Sequence, residues 1–272
     1  MKAISLSLLY SFSKDARHFQ ILYLTAFLIF GFQFLHWDFS LRKIITILSS
    51  ALITQLIWIY AQNGKLHSLK SGAITGLGLC LLLNSSSLLT LGLASSIAIT
   101  AKYLLRYNGK HIFNPANFGI IISIVLFQDA WISPGQWGSN ALFLFVLSVL
   151  GGIVLHKVGR LETSIVFLLT LFFLEYIRTV LYQGWEFEVL IHKFSSGTLL
   201  LFTFFMITDP MTIPNAKKAR VIWSFVLAIA TFICSVWIQL YTAPIWVLFF
   251  MAPITIWFDK ILPNNKFKWN IN

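Results

Sequence analysis

The sequence predicts an all-α polytopic membrane protein of about ten transmembrane segments, arranged as two inverted five-segment repeats whose third helices are short and broken. Three observations predict it: a composition too apolar for a soluble globule, a Lys/Arg distribution that follows a ten-segment alternation, and a short stretch that occurs twice. Of the 272 residues, 58% are hydrophobic and 11% charged, with a mean hydropathy of +0.80. A soluble fold of this length needs far more polar surface.

The first apolar run, FQILYLTAFLIFGFQFL (19–35), is long enough to span a bilayer, and further runs follow it, so it is expected to be an anchor rather than a removed leader. Full spans are expected near 44–61, 88–105, 117–132, 139–156, 163–181, 219–239 and 243–261, with two short segments at 72–83 and 197–208. With the N-terminus inside, only Arg42, Lys43, Arg178 and Lys193 of the 20 Lys and Arg fall in outer loops, as expected when cationic residues stay cytoplasmic. Both termini are therefore expected in the cytoplasm and the chain in the inner (cytoplasmic) membrane. The formal net charge of +11 then reflects topology and attraction to anionic membrane lipids, and no nucleic-acid partner is expected.

Cys80 and Cys234 each lie in an apolar run, which excludes a disulfide scaffold and cannot supply the four thiolates of an iron–sulfur cluster. No nucleotide loop, nucleophile elbow or His-rich metal cluster is present, so no catalytic or metal-ligating residue is nominated. Glu175 and Arg178, three apart at the outer end of the seventh span, are expected to form an ion pair.

SGAITGLGLCLLLN (71–84) overlays SGTLLLFTFFMITD (196–209), matching Ser71 with Ser196, Gly72 with Gly197 and Asn84 with Asp209. The repeat divides the chain into halves, 1–138 and 139–272. Five segments per half turn the second half upside down, with the short segment third in each. Twelve helical residues rise roughly 18 Å, against a hydrocarbon core of about 30 Å. The backbone must then continue as NSSS (84–87) and DPMTIPN (209–215) at membrane depth, which is tolerated only inside protein or along a polar cavity. A midplane site between two broken helices follows. Its candidate members are Asp209, Asn84, Thr208, Thr212, Gly197, Thr198, Ser71, Gly72, Asn114 and Pro115. Asp209 leads, because an intramembrane carboxylate is a functional candidate by default; its structural alternative is to cap the turn that Pro210 opens. Asn84 and Asp209 are expected to face one cavity.

GTLLLFTFFMITDPMTIP, followed by KKAR (217–220), resembles the RnfD/NqrB family, the membrane-embedded components of two flavin-dependent ion pumps, the Rnf electron-transport complex and the Na⁺-translocating NADH:quinone reductase. KHIFNPANFGI (110–120) is similar to that family's F-N-P-A turn, and APITIWFDKILP (252–263) to its closing helix. The resemblance covers roughly residues 44–262. It implies a ten-helix inverted-repeat fold similar to urea transporters, a flavin esterified through a threonine, and in some members a second flavin held without a covalent bond. The family's attachment motif lies downstream of F-N-P-A. Here that loop, QDAWISPGQWGSN (128–140), contains no Thr. The chain is therefore similar to a short, stand-alone relative without covalent flavin, and any FMN or riboflavin is expected to be bound non-covalently. Two functions follow: a component of a redox-driven membrane complex, with other membrane redox proteins as partners, or a transporter of a small polar solute or ion that uses the same cavity without flavin.

Overall fold

The computed structural model describes residues 15–34, 40–132, 141–267 and 269. Residues 133–140 of the loop expected at 128–140, and with them the boundary between the halves, lie outside the described residues.

Each expected segment falls at least in part on a helix, but the full span expected at 117–132 is corrected: its helix stops at Leu126 after 12 residues, and 130–132 is a strand. The first half comprises α1 (Ala16–Phe34), α2 (Leu41–Ala61), α3 (Leu69–Leu82), α4 (Leu88–Leu104) and α5 (Pro115–Leu126). A strand β1 (Leu83–Ser85) follows α3, a hairpin β2 (Arg106–Tyr107) and β3 (Lys110–His111) links α4 to α5, and β4 (Ala130–Ile132) follows α5. The second half comprises α6 (Ala141–Val158), α7 (Leu161–Tyr176, continued by a π-helical stretch Ile177–Tyr182), α8 (Phe187–Phe194), α9 (Gly197–Leu201, continued by a π-helical stretch Phe202–Met206), α10 (Lys217–Trp237), α11 (Ala243–Met251) and α12 (Ile254–Ile261).

Local chemistry sets the ends. Ser40 opens α2 by accepting from the Lys43 N–H at 3.4 Å, and Asn114 opens α5 by accepting from the Asn117 N–H at 3.1 Å, with Pro115 at the first helical position. Pro253, which has no N–H to donate, marks the break between α11 and α12, and the two helices bend by 52°. The expected single span at 243–261 is thus a bent pair. The second short segment, α9, is preceded by α8, and the two helices bend by 53°. α8 occupies a stretch where the sequence reading places a loop. Its signal is a helical one: Phe187, Leu190, Ile191 and Phe194 share a face, Glu188 sits in the first turn, and His192 and Lys193 sit in the last.

Among the described residues, three helices are long and apolar enough to cross a membrane, Leu41–Ala61, Leu161–Tyr182 and Lys217–Trp237, or five if each bent pair counts as one span. Leu89, Val125, Leu126, Leu169, Phe173, Phe250 and Trp257 are exposed on the outer surface. Water does not tolerate an apolar exterior this extensive, and lipid does. The chain is an all-α membrane protein.

The same pairings recur in each half: α2 packs on α4 as α7 packs on α10, α4 on α5 as α10 on α11, and α1 on α3 as α6 on α9. α5 meets α11 and α1 meets α6 across the halves. Gly119 permits the close approach of α5 to α4, since a Cβ there would lie 2.7 Å from the Ala98 Cβ and 2.9 Å from the Ala94 carbonyl oxygen.

The turns after α3 and after α9 are each held by a carboxylate. Asp129 accepts from the Ser85 hydroxyl at 2.7 Å and from the Thr90 hydroxyl at 3.0 Å. Asp259 accepts from the Asn215 N–H at 2.7 Å and from Lys110 Nζ at 2.6 Å. The two clasps are separated by 130 positions at both ends, 85 to 215 and 129 to 259, five more than the 125 of the repeated stretch. β1 pairs antiparallel with β4, Asn84 opposite Trp131.

Basic segments gather at one end. Lys70 and Arg17 both bind Asp15, at 3.0 and 2.8 Å, Lys266 Nζ reaches the Asn108 carbonyl at 2.6 Å, and the guanidinium groups of Arg17 and Arg160 lie over Trp269 and Phe267 at 5.2 and 5.4 Å. Burial raises the Asp15 pKa, but the hydrogen bonds from Arg17 and Lys70 outweigh it and hold the carboxyl well below the usual range.

Candidate functional site

Two cavities divide the candidate residues. The first, of about 300 Å³, opens toward the basic end. The second, of about 630 Å³, lies against the far end of α7 and the α8–α9 bend.

The first cavity takes Asp209, Thr208, Asn114, Pro115 and Ser71. α9 stops because its last residues run into Asp209-Pro210, and the Asp209 side chain accepts from the Met211 N–H at 3.0 Å while its carbonyl accepts from the Thr212 N–H at 3.0 Å. The capping role expected of Asp209 is present. Its other carboxylate oxygen meets Asn114 Nδ2 at 3.4 Å, and the same amide reaches the Met206 carbonyl at 3.5 Å. Asn114 thereby caps α5 with its oxygen and touches the turn after α9 with its nitrogen. The F-N-P-A and T-D-P-M-T turns, far apart in sequence, meet.

Asn84 does not join them. Its Oδ1 accepts from Lys43 Nζ at 2.8 Å and from the Ser85 N–H at 2.9 Å, and it lines neither cavity. The expectation that Asn84 and Asp209 share a cavity is corrected: α3 runs on for 14 residues and delivers Asn84 into the β1–β4 pair beside the start of α2. Thr212 is buried, with its hydroxyl donating to the Asp209 carbonyl at 3.2 Å. Gly72 is a packing residue, because a Cβ there would stand 3.0 Å from the Gln55 side chain.

Gly197 and Thr198 line the second cavity with Ser195, Ser196, Thr231, Ser235 and Thr242. The Thr231 hydroxyl is buried without a hydrogen-bond partner. Glu175 sits there too. Arg178 lies 3.9 Å from it, as the helical spacing suggests, but Lys193 from the end of α8 is closer at 2.8 Å. α9 connects the two cavities, with Thr198, Leu199 and Phe202 on the second and Leu201, Phe204, Phe205 and Met206 on the first. Phe202 is fully buried and packs at 5.5 Å against the Phe167 ring.

Residues counted in the sequence only as topological charges also line the first cavity: Arg17, Lys102 and Arg106. Gln55, 0% exposed, holds Lys102 Nζ at 2.9 Å, and its own amide nitrogen donates to the Tyr103 hydroxyl at 2.6 Å and the Ser68 carbonyl at 3.2 Å. Arg220, 5% exposed, ties the turn after α9 to α7: it donates to Glu162 at 2.7 Å and to the Asn215 carbonyl at 2.6 Å. His111 Nδ1 is buried at the cavity wall with no partner. Among the described residues no group of three or more His, Cys, Asp or Glu is placed to hold a metal.

None of the curated proteins compared with the chain matches it. The NQR2, RnfD, RnfE family matches residues 133–268, half of the chain, a stretch that carries α9 with its π-helical continuation, the T-D-P-M-T turn and the closing α11–α12 pair. With the turn chemistry of that stretch in place around Asp209, the chain belongs to the NQR2, RnfD, RnfE family.

Proposed function

We propose that this chain is the membrane-embedded component of an electron-transport or ion-translocating complex, folded as two inverted five-segment repeats, and that its first cavity holds FMN or riboflavin without a covalent bond. The observation that carries the reading is the contact of Asn114 with Asp209, which brings both family motif turns to one cavity. The repeated helix pairings and the matched Asp129 and Asp259 clasps support the inverted repeat. The basic end is then cytoplasmic.

The cavity residues suit a flat, amphipathic group. Leu81, Leu82, Val154, Leu155, Phe204 and Phe205 supply apolar walls, and Asn114, Thr208, Gln55 and the unpartnered His111 Nδ1 supply donors and acceptors at its edge. A bound flavin would contribute one- and two-electron redox chemistry. The protein's part is orientation and charge: the Asp209 carboxylate and the Lys102 ammonium line one cavity, away from bulk water. Other membrane redox proteins would deliver and remove electrons.

A second reading, transport of a small polar solute or ion without flavin, is favoured by α9 itself, which runs from one cavity to the other across about ten residues, roughly 15 Å. Purification without denaturation followed by visible absorption separates the two. A flavin band released by denaturation, with the bare polypeptide mass on intact-mass analysis, supports the redox reading. A colourless protein that takes up no added FMN or riboflavin refutes it, and a mass increased by one flavin mononucleotide refutes the non-covalent attachment.

A further inference from the structure

We propose that the first cavity is an anion site, in which Lys102 Nζ receives a phosphate- or carboxylate-class group, either a free anion or the anionic end of a larger ligand. The proposal needs the cavity but not the flavin. Lys102 lies in the last turn of α4 and is 5% exposed. One N–H of its ammonium is used by Gln55, and Gln55 is fixed for that task by Tyr103 and Ser68. Among the described residues no carboxylate forms an ion pair with Lys102 or Arg106. The Arg106 guanidinium instead donates to the Lys102 carbonyl at 2.6 Å and lies 4.6 Å from the centre of the Tyr103 ring.

The cavity's balance of charge points the same way. Arg17 is neutralised by Asp15, so Lys102 and Arg106 line the cavity against one lining carboxylate, Asp209, whose oxygens are engaged by the Met211 N–H and by Asn114. A buried ammonium that no carboxylate touches, with Asp209 the one carboxylate lining its cavity, is expensive, and in a membrane protein it marks a ligand or ion path by default. Lys is a three-donor point charge, so the donors that Gln55 leaves free are available to phosphate or carboxylate oxygen. His111 Nδ1, buried at the same wall without a partner, is a further group suited to a polar ligand. The anion enters from the basic end, where Arg17 and Trp269 line the cavity. The apolar walls beyond Lys102 would accept the body of a larger ligand.

The test is calorimetric titration of the purified chain in detergent with inorganic phosphate, acetate, FMN and riboflavin, on the wild type, Lys102→Met and Lys102→Arg. The expected result is saturable binding of phosphate or FMN, weakened at least tenfold in Lys102→Met and largely kept in Lys102→Arg, with unfolding temperatures showing all three folded. FMN binding tighter than both inorganic phosphate and riboflavin assigns the anion to a larger ligand; phosphate binding at least as tight assigns it to a free anion. Phosphate binding with neither flavin bound upholds the anion site while the flavin reading falls. Riboflavin binding equal to FMN and indifferent to Lys102→Met leaves the flavin reading standing and overturns the anion site. A wild type that binds no anion, FMN included, also overturns the anion site.

Discussion

Asn114 does two jobs that substitution can separate. Its Oδ1 caps α5 by accepting from the Asn117 N–H at 3.1 Å, and its Nδ2 reaches Asp209 at 3.4 Å. Loss of an N-cap costs about 1 kcal/mol. The bridge, long for a hydrogen bond, adds roughly 1 kcal/mol at most. Asn114→Ala should therefore destabilise by about 2 kcal/mol, which for a chain of this size lowers the unfolding temperature by about 4–8 °C. Asn114→Ser keeps the cap and loses the bridge, so it should lose less than Ala. Asn114→Asp also keeps the cap, but it places a carboxylate where the donor stood. At 3.4 Å and an effective dielectric near 20, the repulsion from Asp209 is on the order of 5 kcal/mol, more than the cap restores. That pair relieves itself by binding a proton, so the folded state takes up protons that the unfolded state does not, and the variant should regain stability as pH falls. The assay is tryptophan-detected thermal unfolding in detergent across pH. An Asp variant as stable as wild type at neutral pH, or a Ser variant as damaged as the Asp variant, would falsify the two-job account.

Asp209→Asn should fold, because the amide oxygen can still accept from the Met211 N–H, yet lose flavin binding or transport; Asp209→Leu should also lower the unfolding temperature, and full activity in the Asn variant reduces the residue to a helix stop. Arg220→Met should destabilise by about 2–4 kcal/mol, since Glu162 and the Asn215 carbonyl lose their partner in a largely buried site; a shift within error in equilibrium unfolding would contradict that role. The lowered pKa of Asp15 gives stability that is fully present above about pH 4, the unfolded carboxylate's value, and lost as pH falls toward the folded value. Asp15→Asn should flatten that acid limb, and an unchanged limb would place the acid sensitivity elsewhere. Reporter fusions near residues 66, 110 and 216 should read cytoplasmic and those near 135 and 190 external, so an inside signal at 190 removes the inverted repeat.

The sequence by itself determined the membrane class, most of the helical segments and some of the places where they stop. Run length, the Asn114-Pro115 start and the Asp209-Pro210 stop are local chemistry, and each has its effect where it stands, whereas the break at Pro253 and the end of α5 at Leu126 fall inside spans expected to be continuous. Family membership is legible for the same reason, since a motif is a short string with a fixed turn. α8 carries its signal in helical spacing as well, but a run of only eight residues is too short to stand out from a loop.

Only the tertiary structure decided which of these features face each other. Sequence alignment of the halves pairs Asp209 with Asn84, but equivalence under a repeat is not proximity, and Asn114 is the residue that meets Asp209. Glu175 finds Lys193, eighteen residues on, closer than its helical neighbour Arg178. Lys102 reads as one more cytoplasmic charge until α2 sets Gln55 against it and a cavity closes around both. The reason is physical. In lipid, apolar side chains cover both the membrane-facing and the protein-facing sides of a helix, so hydrophobic pattern carries length but little direction. Which polar group lies inside is set by the packing of neighbouring helices, and that is a property of the assembled fold.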